Sequence, residues 1–479
     1  MTMKNSFVSG IAQGGRLDAR TDNGMKAFKN TADPLTDMFF RSGAMRGQNV
    51  IPVFEAAFKE DAELALRTAL WLRDVRGGAG ERQLYRDILV NLCNNPHAVH
   101  NLDVLGALFA LTVEVGRWDD LVYTALKVSN NKIKEGIFEI CATGLREENG
   151  LCAKWMPRKG DFAIMFREYL GMSPKQYRKM LVELSNTVEQ KMCAKEWDSI
   201  NFEHVPSVAA GRYMKAFWKN APEKYAAYKA ALEKGTAKIN ASAVYPYDVI
   251  KSLRYGDSKI AVAQWDAFPN YVGDANVLAM VDVSGSMECP AGGNKTITCL
   301  DVAVSLGLYT ADKNKGAFKD VFLTFSATPQ LLHLKGNLQQ KMNQMSSSNW
   351  SMNTNLHAAF NCVLSHAMNN NVPQNDMPKY IIVLSDMQFD QCARFDDSAM
   401  QMIERKFKQS GYDVPKIIFW NLNDRGNAPV RFNKNGVALV SGFSPAIMKS
   451  ILAGEDFTPR GIMLQTIMSE RYNFMKLVG

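Results

Sequence analysis

Asp282, Ser284 and Ser286 stand at alternate positions in the stretch "NVLAMVDVSGSMECP", immediately after an apolar run. Alternate residues of an extended segment point the same way, so three oxygen-bearing side chains converge on one place. A carboxylate with two hydroxyls is a hard oxygen set. It suits magnesium or another divalent cation that keeps several of its waters. Two further groups are expected from other loops: Thr354 in "SSSNWSMNTNLHAAF", just before a helical stretch, and Asp386 in "YIIVLSDMQFD", at the end of a second apolar run. Asp-x-Ser-x-Ser alone is common as an Asx-turn or helix cap. Its place after an apolar strand, with Thr354 and Asp386 following in order, is what makes it a candidate metal site. Asp301, Asp390 and Asp424 are further carboxylates, expected mostly to be solvated or to cap helices, with Asp390 a candidate support for the site.

Other chemistry finds little footing. "AGGNKTIT" lacks the Gly-Lys-Ser/Thr order that sets a phosphate-loop lysine on phosphates. Asp282 is followed by Val-Ser, so a phosphoaspartyl mechanism lacks its acidic partner. The six histidines, His97, His100, His204, His333, His357 and His366, form no HExxH pair. His357 follows Thr354 at helical spacing and reads as a helix-surface residue. No nucleophile–base pair emerges, and a binding protein is expected, not an enzyme.

The elements that would position the five oxygens follow from the apolar pattern. Runs at Val277–Val281, Val321–Phe325, Tyr380–Leu384, Lys416–Trp420 and Val437–Val440 alternate with amphipathic stretches near residues 305–312, 355–368, 398–409 and 445–452. That alternation predicts a doubly wound α/β domain over 274–479, its parallel sheet covered on both faces. Such sheets bind ligands beyond the carboxyl ends of the strands, where the strand order reverses. Before residue 240 the texture is helical, with stops such as Gly77–Gly78 and a start at Trp118–Asp119–Asp120, acids in the first turn. The reading is α + α/β: an N-terminal arm and first helix over 1–50, an α-helical repeat (HEAT-like) domain over 51–235, an irregular linker over 236–273, then the α/β domain.

The totals agree with a soluble multidomain chain. It has 479 residues, 47% hydrophobic and 22% charged. No apolar run approaches the roughly 18 residues of a membrane span. The N-terminus "MTMKNSFVSGIAQGG" has no apolar core for secretion. Eight scattered cysteines without metal spacing fit reduced thiols and a cytoplasmic location. The "NKT" at Asn294 is then a chance sequon. Net charge is +8, most of it before residue 274.

Leu151–Asn220 is the most basic stretch, with 12 Lys+Arg against 7 Asp+Glu. Trp155, Tyr177, Trp197, Tyr213 and Trp218 interleave with the cations. Cations for phosphates and rings for bases are what single-stranded nucleic acid uses. The same pattern also describes helices with an aromatic core and a solvated basic face.

Asp-x-Ser-x-Ser with the distant Thr354 and Asp386 resembles the metal-ion-dependent adhesion site of von Willebrand factor A domains. That resemblance implies a bound magnesium with an open coordination position, commonly filled by a ligand's carboxylate, and aspartates that often act through water. A helical-repeat region before such a domain resembles the Ro autoantigen (TROVE-module) family, whose segments are similar to "LALRTALWLRDVRGGAGERQLYRDIL" and "EVGRWDDLVYTAL". The likeness is closer to a Ro-like group known as a domain of unknown function. Its counterparts are "NGMKAFKNTADPLTDMFF", "AKEWDSINFEHVPSVAAGRYMKAF", "MNTNLHAAF", "SDMQFD" and "IIFWNLN". The resemblance implies small non-coding or single-stranded RNA as partner, held on basic helical surfaces. Candidate contacts in this chain are Lys154, Arg158, Lys159, Arg178, Lys179 and Lys195. Arg73, Arg76 and Arg117 form a second group, whose nearby Asp74, Asp119 and Asp120 equally suggest fold-holding ion pairs. A protein-scaffolding module gripping a partner's carboxylate through the metal site, without nucleic acid, is the alternative.

Overall fold

The computed structural model describes residues 17–95, 102–185, 187–241, 243–291, 297–325, 328–346, 354–391 and 396–478. The chain folds into two compact units. One holds the segment ending at Thr68, Tyr245–Tyr247 and Pro269–Met468; the other holds Ala69–Val244, Asp248–Phe268 and the segment from Ser469. The basic loop "AGGNKTIT" and the Asn294 sequon fall largely outside the described residues, as do His97 and His100.

In the first unit a short hairpin, β1 (Ala19–Arg20) and β2 (Lys26–Ala27), precedes a six-stranded sheet. The sheet strands are β3 (Val277–Asp282), β4 (Val321–Phe325), β5 (Gln330–His333), β6 (Tyr380–Ser385), β7 (Lys416–Asn421) and β8 (Val437–Ser441). Their order is β5-β4-β3-β6-β7-β8, all parallel except the antiparallel edge strand β5. All five apolar runs became strands. β5 gave no run because an edge strand of half-buried residues lacks the continuous apolar signature of a strand covered on both faces.

The period-two alternation of β3 shows how both faces are covered. Leu278 and Met280 enter one core with Phe360 and Val363 of helix Leu356–Asn369 and with Met402 and Phe407 of helix Ala399–Ser410. On the other face helix Cys299–Lys313 comes so near that a Cβ on Gly307 would lie 2.4 Å from Val281 Cγ2. Only glycine permits that approach. The chain leaves β3 for β4 on one side and returns to β6 on the other, so the reversal point lies between the ends of β3 and β6.

The domain limits differ from the sequence reading in three places. Residues 17–68, read as an arm, a first helix and the start of the repeats, belong to the α/β unit. Helix Pro34–Ser42 buries Leu35, Met38, Phe39 and Phe40 completely, and Ser441 Oγ on β8 donates to Phe39 O at 3.0 Å. A helix is expected in this stretch, but nothing local to it says that it packs on the distant strand β8. Residues 236–273, read as a linker, contain helices Pro246–Tyr255 and Ser258–Asp266, and Val249, Ala261 and Trp265 lie in the core. The tail from Ser469, read as α/β, belongs to the helical unit: Arg471 Nη2 donates to Asp74 Oδ1 at 2.8 Å and Tyr472 Oη to Asp74 Oδ2 at 3.0 Å.

The helical unit is a succession of short helices, among them Arg82–Asn94, Leu102–Val115, Trp118–Lys127, Asn131–Arg146, Gly150–Trp155 and Pro174–Leu184, each packed on near neighbours in the chain. Its charged centre is Asp120, which accepts from Arg73 Nε at 2.7 Å and Arg86 Nε at 2.6 Å. No helix among the described residues is long and apolar enough to cross a membrane.

Candidate metal centre and nucleic-acid interface

Asp282 closes β3 and is fully buried. Its Oδ1 accepts the Ser284 N–H at 3.0 Å, the Asx-turn that swings the chain off the strand. Its Oδ2 accepts from Ser385 Oγ at 2.6 Å. The turn then brings the Ser284 and Ser286 hydroxyls within 3.0 Å of each other. Asp386 follows β6, where Oδ1 accepts the Gln388 N–H at 3.2 Å, while Oδ2 is buried with no hydrogen-bond partner. Met387 then turns the chain in the left-handed region at φ 63°, a conformation that costs a non-glycine residue about 1–2 kcal/mol. Strain of this kind persists where the surroundings over-determine it, and here it lies at the candidate site.

Electrostatics give the cluster its character. Burial, and after it the neighbouring Asp386, together push the Asp282 carboxyl up to about 7, against the pull of Ser284 and Ser385. Asp386 is also raised by burial, opposed by hydrogen bonds from Gln388 and Ser286 and by the Arg425 charge. Two desolvated carboxylates that repel one another, beside two hydroxyls and an unpartnered carboxylate oxygen, fit a hard cation held by oxygen. Among the described residues no three His, Cys, Asp or Glu side chains gather for a metal, so a zinc-type set is not what these residues offer.

Thr354 is buried and connects through a residue the sequence did not point to. Asn23 Nδ2 donates to Thr354 Oγ1 at 3.4 Å and to Gln388 O at 2.7 Å. Thr21 Oγ1 donates to Phe389 O at 2.6 Å and the Asp22 N–H to Gln388 Oε1 at 2.6 Å. The β1–β2 hairpin thus forms part of the rim beside Asp386. The signal for Ser385 was its place in "LSD", at the end of an apolar run. Asn23 heads one of the family-like segments, but nothing local ties it to partners over 300 residues away.

The other carboxylates fall out as capping and pairing groups. Asp301 Oδ2 accepts the Thr298 N–H at 3.0 Å as the capping box of its helix, and Asp424 pairs with Arg41 at 2.9 Å. Asp390 meets the site at Thr354 twice: its backbone N–H donates to Thr354 O at 3.0 Å, and its carboxyl accepts from the Thr354 backbone.

In the helical unit the nine candidate RNA contacts divide. Lys154 reaches Glu189 at 3.2 Å and Arg158 donates to Ser185 Oγ at 3.2 Å; both line a 470 Å³ cavity walled by Trp155. The Arg117 guanidinium lies 5.3 Å from the Trp155 ring centre on the same unit. Lys154, Thr187 and Glu189 also line an adjoining cavity of 320 Å³. Lys159 and Lys195 are exposed. Arg178, also exposed, donates to Pro174 O, and Lys179 pairs loosely with Glu183 at 3.6 Å. Arg76 is exposed as well. Arg73 is a correction: only 1% exposed and bound to Asp120, it holds the fold and presents nothing to a phosphate. Among the rings, Tyr177 is likewise structural, buried with its hydroxyl on Pro157 O at 3.1 Å, while Trp155 stays half-buried and Trp218 exposed.

Comparison with known proteins gives two family matches. Residues 21–149 and 162–277, together more than half of the chain, match the family described as Domain of unknown function (DUF2828). Residues 276–471 match Domain of unknown function (DUF7788). A curated relative, Uncharacterized protein L728 of Acanthamoeba polyphaga mimivirus, is 29% identical over 508 aligned positions, covering 93% of this chain and 86% of that protein. The crystal structure of Deinococcus radiodurans Ro (RSR) protein superposes with a TM-score of 0.48 at 13% identity, covering 92% of this chain and 100% of that one.

Proposed function

The chain belongs to the family described as Domain of unknown function (DUF2828), and from that premise we propose that it is a Ro-like RNA-binding protein and not an enzyme. Single-stranded or small structured RNA would lie on the helical unit, with phosphates against Lys154, Arg158, Lys159 and Arg117. The observation that carries this reading is the Trp155 cavity, where cations and a half-exposed ring come together within one six-residue helix and the loop after it. A ring offers any base a stacking face and the cations neutralise phosphates, so affinity should fall with salt and depend little on sequence. The reading places the protein in the cytoplasm, where unpaired cysteines such as Cys93, Cys141 and Cys152 stay thiols.

Titration of fluorescent single-stranded RNA at two salt concentrations tests it. Joint charge reversal of Lys154, Arg158 and Lys159 should weaken binding at least tenfold and flatten the salt dependence by roughly one unit of slope per lost contact. Unchanged affinity would remove the cavity from the RNA path.

A second reading rests on the unpartnered Asp386 oxygen. Asp282, Ser284, Ser286, Thr354 and Asp386 would hold magnesium or another divalent cation, which when bound supplies a positive centre for a protein partner's carboxylate. Ser385 and Gln388 would orient the two aspartates, and Asn23 would orient Thr354. In this reading the α/β unit is a scaffolding module, and RNA binding and partner binding are separable by mutation.

A further inference from the structure

A pair of thiols stands near the candidate metal centre without belonging to it. Cys289 follows the turn Gly285–Glu288 that carries Ser286, and Cys299 is the first residue of helix Cys299–Lys313. Their sulfurs are 3.5 Å apart. The backbone holds the two residues in register. The Cys299 N–H donates to Cys289 O at 3.0 Å, the Ala291 N–H donates to Ile297 O at 2.8 Å, and Pro290 and Thr298 form a bridge between them. Residues joined by their own N–H···O bond lie within the Cα separation of roughly 4.4–6.8 Å that a disulfide spans. Closing the bond therefore needs side-chain rotation and no movement of the chain.

The two sulfurs differ in a way that assigns them roles. Cys289 is part-exposed; its sulfur accepts from Asn423 Nδ2 at 3.3 Å and faces Cys299 Sγ at 3.5 Å, while the Cys299 thiol donates to Leu422 O at 3.5 Å. Its exposure makes Cys289 the sulfur a hydroperoxide reaches first, and so the attacking atom. Cys299 is buried at 1% exposure behind it, the place of a resolving thiol. The other cysteines provide the contrast. Cys141 and Cys152 are near each other, but both are fully buried. Cys193 is exposed on the helical unit.

We propose that Cys289 and Cys299 form a reversible, hydroperoxide-sensitive disulfide. Cys289 sulfur attacks the outer oxygen of a hydroperoxide; the O–O bond breaks, an alcohol leaves and Cys289 becomes a sulfenic acid. Cys299 sulfur then attacks Cys289 sulfur, the S–O bond breaks and water leaves. Two thiols lose two electrons in all and the peroxide takes both up. A dithiol reductant reverses the step by exchange. The bond ties the turn bearing Ser284 and Ser286 to the first turn of the helix behind it, so the oxidation state of the pair sets the stiffness of the hydroxyl loop.

The test treats the full-length protein with tert-butyl hydroperoxide, blocks free thiols and maps peptides without reduction. Expected are a Cys289–Cys299 cross-linked peptide, loss of two alkylatable thiols per chain, and recovery of both with dithiothreitol. Cys299→Ser should stop at a sulfenic acid on Cys289 that dimedone traps, whereas Cys289→Ser should leave Cys299 unoxidised at the same dose. Full alkylation of both residues after peroxide would overturn the proposal. So would preferential oxidation of Cys193, since exposure and not geometry would then govern the chemistry. Because the readout is thiol chemistry in the wild-type protein, it stands whether or not RNA or a cation is bound.

Discussion

Each unit buries a charge cluster, and the two are built in opposite ways. In the helical unit Asp120 lies between Arg73 and Arg86, and Asp74 is held by Arg471 and Tyr472. In the α/β unit Asp282 and Asp386 are equally buried but carry like charge, and one oxygen of Asp386 has no partner. A compensated cluster maintains the fold. A cluster of like charge, offset only in part by Arg425, is a cost that folding tolerates where something else supplies the missing charge. The difference teaches that burial alone does not mark a site; the balance of charge inside the buried cluster does.

The largest effect should come from the compensated side. Asp120→Ala strands the buried Arg73 guanidinium and leaves Arg86 only its pair with Asp119, and should destabilise the helical unit by about 3–5 kcal/mol. Urea unfolding followed by tryptophan fluorescence would register it, and an unchanged midpoint would mean that the pairs do not hold the fold. On the uncompensated side the expectation reverses. Asp282→Asn removes one of two like charges, so without divalent cations the melting temperature should stay level or rise, and added magnesium should no longer raise it. A drop in chelator as large as that of Asp120→Ala would erase the contrast.

The same asymmetry predicts a pH dependence. The folded Asp282 carboxyl titrates at about 7, above its ordinary 3.8. A raised acid binds its proton more tightly folded than unfolded, so this contribution is complete below the ordinary value and is lost as pH rises through about 7. In chelator the α/β unit should therefore melt higher at acidic than at neutral pH, and magnesium should flatten that slope. A flat profile in chelator would remove the repulsion from the account. The smallest effect is expected from Lys179→Ala. Its pair with Glu183 is 3.6 Å long and exposed on both sides, so thermal unfolding should not resolve the change.

Legibility in the sequence followed the same physics. Strands β3, β4, β6, β7 and β8 could be read because a sheet covered on both faces demands unbroken apolar runs. The oxygens of Asp282, Ser284, Ser286 and Asp386 could be read because they stand where those runs stop. Ser385 could have been included on the same ground. Asn23 and the packing of helix Pro34–Ser42 on β8 could not, since no local pattern announces a partner hundreds of residues away. Arg73 shows the converse failure: its neighbour Asp74 suggested a pairing, yet its partner is Asp120, 47 residues along.

By itself the sequence determined the two textures, helical and then alternating, and the chemistry at the strand ends, because periodicity and side-chain type are local properties. Only the tertiary structure decided which segments share a core, moving residues 17–68 into the α/β unit and the tail from Ser469 into the helical one. It alone brought Asp386 beside Asp282 and the sulfur of Cys289 to that of Cys299. Burial and the sum of charges around a group belong to the packed chain, and both are set by residues far apart along it.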